Sequence, residues 1–178
     1  MSAFQNPAHQ TAFHESGHAV AALHFGVRFE AVELNVWAKD GNWYCNGRLR
    51  GAPLPEHADN RRLWAQLVVV MAGYAAVSLI EQQAGFSIRA FTFPDDRDYN
   101  AAAELLGSMK PAVVEERAVH AAMEQAWSDA RQVVGTHVHA LRTIAAELMR
   151  LSHPNGETVA CQLALTPLDL SKLLPATS

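Results

Sequence analysis

The sequence predicts a mainly α-helical domain carrying one small antiparallel β-hairpin element. Three observations carry this: an apolar helical segment over about 60–83, a second helical region from about 111 to 152, and an Asp-Gly pair between two runs rich in β-branched and aromatic residues. At 178 residues the chain amounts to about one domain, taken as 1–178.

The first element, roughly 7–25, reads as a helix capped by Asn6, with Pro7 at its first position and Gly26 ending it in a left-handed conformation. VRFEAVELNVW and NWYCNGRLR then form the two arms of a hairpin around Lys39-Asp40-Gly41-Asn42. GAPLPEHADN has two prolines and no period, so it is a loop. From about Asn60 to Gln83 the apolar residues run nearly all the way around a helix, which places it in the middle of the fold. Gly73 and its alanine neighbours would let another helix approach closely. GFSIRAFTFPDDRD leads into a short helix through Ala101 to Leu106. Pro111 opens a long helical region reaching about Ser152, with a bend near Gly135. A turn at Pro154-Asn155-Gly156 and a short helix over about Pro167 to Leu174 complete the chain. No repeat, dividing linker or low-complexity tract interrupts it.

A composition of 49% hydrophobic and 18% charged residues excludes a disordered chain. With net charge −4 and a pI near 6.1 there is no basic balance to hold a phosphate backbone, so no nucleic-acid partner is expected. Cys45 and Cys161 form neither a CxxC pair nor a disulfide framework; they read as buried small hydrophobes in a reduced, cytoplasmic compartment. MSAFQNPAHQTAF lacks the charged start and apolar core of a signal peptide. The longest apolar run, Leu67 to Ile80, falls short of the roughly 20 residues of a membrane span, so direct membrane insertion is not expected.

His14-Glu15-Ser16-Gly17-His18 is an H-E-x-x-H sequence inside the first helix. Residues four apart on a helix are only about 40° apart around its axis, so both imidazoles leave one face and can grip one metal. Glu15, one residue after the first ligand, lies beside that metal. There it can take a proton from a water that attacks a peptide carbonyl. Two imidazoles and a carboxylate suit zinc and leave its fourth position open. A shuffled chain of this composition would contain the motif about 0.03 times by chance.

The third ligand has several candidates. His24 stands six residues after His18, the spacing of an extended zinc motif, but Ala21 occupies the place where that motif needs glycine to leave the helix. The helix therefore continues, and His24 falls about 240° round from His18, off the metal face. Glu81 is the nearest helical glutamate. The acidic cluster Asp95-Asp96-Arg97-Asp98, at the entrance of the helix containing Leu105, is the strongest choice. Asp95 is placed to cap that helix, while Asp98 leaves its first turn.

His14-Glu15-Ser16-Gly17-His18-Ala19-Val20, then Met71-Ala72-Gly73-Tyr74-Ala75-Ala76, then Asp98 followed by Ala102 resemble the peptidase domain of FtsH-type ATP-dependent zinc proteases. The family pattern is HEAGHA, then LAGRAAE, then an aspartate opening a helix with alanine four residues on. The resemblance covers most of the chain, and its first motif is the sharpest. It implies a zincin-like helical domain with His14, His18 and Asp98 as zinc ligands and Glu15 as general base. The chain departs from the family at Tyr74, Val77 and Ser78, where an arginine and an acidic pair are usual, and contains no Walker-type sequence. A stand-alone relative is therefore expected, without the ATPase module and membrane helices. Homo-oligomerisation and a separate unfoldase partner stay open.

Other residues read more plainly. His137 and His139 are two apart in a helical stretch and point about 200° from each other, so they form a solvated face and share no metal. His57 reads as a loop histidine. Trp37, Trp43 and Tyr44 are expected to pack on the helices, with a second reading as part of a strand edge for an extended peptide. The leading function is a zinc metalloendopeptidase acting on peptides or unfolded protein segments. The alternatives are a zinc-containing, non-proteolytic scaffold or regulatory protein and a metal-free helical interaction module. Neither has use for an intact Glu15.

Overall fold

The computed structural model describes residues 7–51, 58–85, 97–153 and 157–174. Among them are six helices and three strands, which bears out the mainly α class with a small antiparallel sheet. The helices are α1 Pro7–Phe25, α2 Asn60–Gln83, α3 Arg97–Ser108, α4 Glu116–Thr136, α5 Val138–Ser152 and α6 Pro167–Leu173; the strands are β1 Phe29–Lys39, β2 Asn42–Gly51 and β3 Cys161–Leu165.

Helix α1 ends where Gly26 takes a positive φ of 64°. Its Asn6 cap lies outside the described residues, as does the turn at Pro154-Asn155-Gly156. The hairpin closes between Lys39 and Asn42 with Asp40 at φ 52° and Gly41 at φ 76°, the two positive angles that match a tight turn to the strand twist. The expected hairpin is one strand short of the real sheet. β3 pairs antiparallel with β1 from Val36↔Cys161 to Val32↔Leu165, giving the order β2-β1-β3. On β1, Glu33 is almost buried, and it is paired with both Arg48 and Arg50 of β2.

Helix α2 is the centre of the fold. Its Asp59 cap accepts the Arg62 N–H at 2.9 Å, and residues from Leu63 to Ile80 bury faces toward α1, α3 and α4. By length and hydropathy alone it could cross a membrane, but 61% of that apolar window is buried inside this fold. The helical region expected from Pro111 begins five residues later, at Glu116, and breaks at His137 rather than bending at Gly135. Gly135 stays helical, and His137 serves as C-cap of α4 and N-cap of α5 at once. Thr166 and Asp169 close a reciprocal capping box at the start of α6.

Trp37, Trp43 and Tyr44, expected to pack on the helices, are not buried against them. All three are exposed, and Trp37 stacks on its cross-strand partner Tyr44 with centroids 5.9 Å apart. Cys45 and Cys161 are half-buried rather than buried and face Val36 from opposite sides of β1. Burial pushes the Cys45 thiol up to about 11.

Candidate metal centre

The crossing of α1 and α2 builds the site. Gly17 of α1 lies against the backbone carbonyl of Ala72, where any side chain would collide, so the helices approach at backbone distance. That brings Gly73 directly beneath the two histidines of α1. A Cβ at position 73 would stand 2.6 Å from His14 Cε1 and 2.6 Å from His18 Nε2. In an isolated helix Gly73→Ala would gain about 0.8–1.0 kcal/mol. Here overpacking at about 1–3 kcal/mol outweighs that. Gly73→Ala is therefore expected to displace the imidazoles and lower metal affinity at least tenfold, read by competition with a chromophoric chelator. Unchanged affinity would contradict the close fit.

The imidazoles leave α1 one turn apart and meet edge to face, with Nε2 atoms 3.0 Å from each other. Asp98, the second residue of α3, brings Oδ2 to 3.0 Å from His14 Nε2 and 3.5 Å from His18 Nε2. The centre of such a triangle is about 1.9 Å from each corner, and bonds from zinc to imidazole or carboxylate run about 2.0–2.2 Å. The three donors are thus spaced to hold one metal ion together. His18 Nδ1–H donates to the Val69 carbonyl at 2.7 Å, which turns the Nε2 lone pair toward the site. The His14 ring sits edge-on to Tyr74, centroids 4.8 Å apart.

The electrostatics favour a cation. Burial opposes charge on His18, yet the hydrogen bond and charge of Asp98, with the charge of Glu15, raise its pKa to about 9. Burial likewise opposes charge on Asp98, but the His14 and His18 imidazoles hold its carboxyl well below the usual range.

Glu15 is only 3% exposed, and its Oε2 has no hydrogen-bond partner. Burial pushes its pKa up against the pull of His18 and His14. The carboxylate presses on Gly47 of β2, where a Cβ would stand 2.6 Å from Oε1, so the strand can pass over Glu15 only with glycine there. Glu15, His14, His18 and Asp98 all line one cleft of about 610 Å³, with Asn46 to Leu49 of β2 along one wall.

The structure therefore joins His14, His18 and Asp98 and, among the described residues, leaves Glu81 and His24 elsewhere. Glu81, eight residues beyond Gly73 on α2, is about 12 Å further along the helix axis. His24 is exposed at the end of α1. Asp95, Asp96 and His57 lie outside the described residues. Two contributors escaped the sequence reading: the Val69 carbonyl, which no sequence pattern marks, and Gly47, whose place inside a strand pattern was a readable sign of close approach. No protein-family model and no curated protein matches this chain.

Proposed function

We propose that this chain is a zinc metallopeptidase that hydrolyses peptides or unfolded protein segments, as its resemblance to the FtsH-type peptidase domain implies. The observation that carries the reading is Glu15: a buried carboxylate with an unpartnered oxygen, in the same cleft as a three-donor metal group. A structural zinc site closes with four protein ligands, whereas the three found among the described residues leave room for a reacting molecule. Two imidazoles and one carboxylate form a donor set that suits zinc. When bound, zinc supplies a Lewis acid that polarises water and a peptide carbonyl.

The chain's own residues supply the rest. Oε2 of Glu15 accepts the proton of the attacking water, and burial strengthens it as a base by raising its pKa. That proton is then available to the leaving amine. The Val69 carbonyl and the Tyr74 ring hold the two imidazoles in place. Among the described residues β2 is an edge strand on the cleft wall, a position that suits an extended peptide added by backbone pairing. Such a substrate must already be unfolded, so the enzyme would take disordered segments or work with a separate unfoldase. Purified chain with zinc is expected to cut unstructured casein and spare a stably folded globular protein. Inert casein would favour the non-proteolytic scaffold.

Metal uptake on this reading has a proton signature. The pKa of His18 is raised from 6.5 to about 9, so at pH 7 the metal-free site holds a proton that zinc must displace. Zinc affinity is expected to rise with pH across 6–8. Titration calorimetry in two buffers of different ionisation heat should show proton release near pH 7. Heats independent of buffer would contradict it.

A further inference from the structure

We infer that His24 and His137 form a second, separate metal site, for a late first-row divalent cation, at the junction of α1 with α4 and α5. Neither residue has such a role by its sequence position: His24 points away from the peptidase face, and His137 cannot share a metal with His139. The fold pairs them with each other instead. His24 Nδ1 and His137 Nε2, 113 residues apart in sequence, stand 3.0 Å apart.

That separation equals the 3.0 Å between the Nε2 atoms of His14 and His18. It is close to the roughly 3.3 Å expected between two imidazole nitrogens bonded to one tetrahedral ion at about 2.0–2.1 Å. His24 is exposed and His137 half-buried, so water can complete the coordination. The ring of His24 is steadied by Phe25, edge to face at 4.8 Å. His24 lies in the last turn of α1, where the helix end favours a cation. At His137 the end of α4 meets the start of α5, so those two dipoles cancel and add nothing.

Imidazole pairs select zinc, nickel and copper over magnesium or calcium. With two protein ligands in place of three, this site is weaker than the His14–His18–Asp98 group and exchanges its metal. An ion there ties the end of the helix carrying the H-E-x-x-H sequence to the break between α4 and α5. Because it binds only the folded arrangement, it stabilises that arrangement in proportion to free metal. The competing account of the same geometry is a hydrogen bond between two neutral imidazoles.

Equilibrium dialysis of the untagged full chain against increasing zinc, with elemental analysis, separates the two. The expected result is two zinc per chain at saturation, one tight and one weak. His24→Ala and His137→Ala should each keep the tight equivalent and lose the weak one, together with the rise in Tm at high zinc. His139→Ala should keep both. Asp98→Asn should lose the tight equivalent and leave only weak binding, that of His24–His137 included, so failure of the peptidase site and failure of this site are told apart. Saturation of the wild type at one zinc overturns the inference, leaving only the imidazole hydrogen bond. Persistence of the weak equivalent in either His24→Ala or His137→Ala, or its loss in Asp98→Asn, overturns it as well.

Discussion

Glu15→Gln is expected to bind zinc as the wild type does and to lose peptidase activity by about 10²–10⁴-fold, the usual contribution of a positioned general base. Glutamine keeps the shape that Gly47 accommodates and leaves His14, His18 and Asp98 alone. It lacks the oxygen that can take a proton. The substitution also removes a buried ionisable group, so folding stability should hold or rise slightly. Parallel zinc analysis and casein hydrolysis read the result. A fully active Glu15→Gln would remove Glu15 from the chemistry.

The second large effect is expected at Asp98. Asp98→Asn replaces the carboxylate that stands 3.0 and 3.5 Å from the two Nε2 atoms with a neutral amide of the same shape. Losing an outer-shell partner typically costs 10–100-fold in metal affinity. Losing a direct ligand and its charge should cost more than about 100-fold, and activity at limiting zinc should fall with it. On the sequence reading of Asp95 as a cap, Asp95→Asn should change little, because asparagine fills that role about as well as aspartate. If Asp95→Asn stripped the metal while Asp98→Asn kept it, the donor triangle would be misassigned.

The parts of this molecule legible in sequence are those set by local rules. The long, all-round apolar segment marked α2, Gly26 ended α1, and Asp40-Gly41 placed the hairpin turn. The pairing of His14 with His18 is equally local, because one helix turn fixes it. Asp98 stood apart, since only tertiary packing carries α3 across to α1; the acidic cluster and the family resemblance pointed there together. β3 escaped because Cys161–Leu165 is five residues long, contains Gln and Ala, and gains its stability from β1 rather than from its own propensity. The break at His137 escaped for a related reason. Gly135 carries the stronger breaking signal, but it is tolerated inside α4. The proximity of His24 to His137 had no local signature at all.

The central claim is that a metal held by His14, His18 and Asp98 works with Glu15 to cut peptide bonds. Its most direct test is a single depletion-and-return experiment on the purified chain. Zinc content and casein cleavage are measured before chelation, after chelation, and after stoichiometric zinc is restored. The account predicts that cleavage vanishes with the tight zinc and returns in proportion as about one equivalent is bound. Undiminished cleavage by metal-free chain, or a fully zinc-loaded chain that cuts no unstructured substrate, would contradict it.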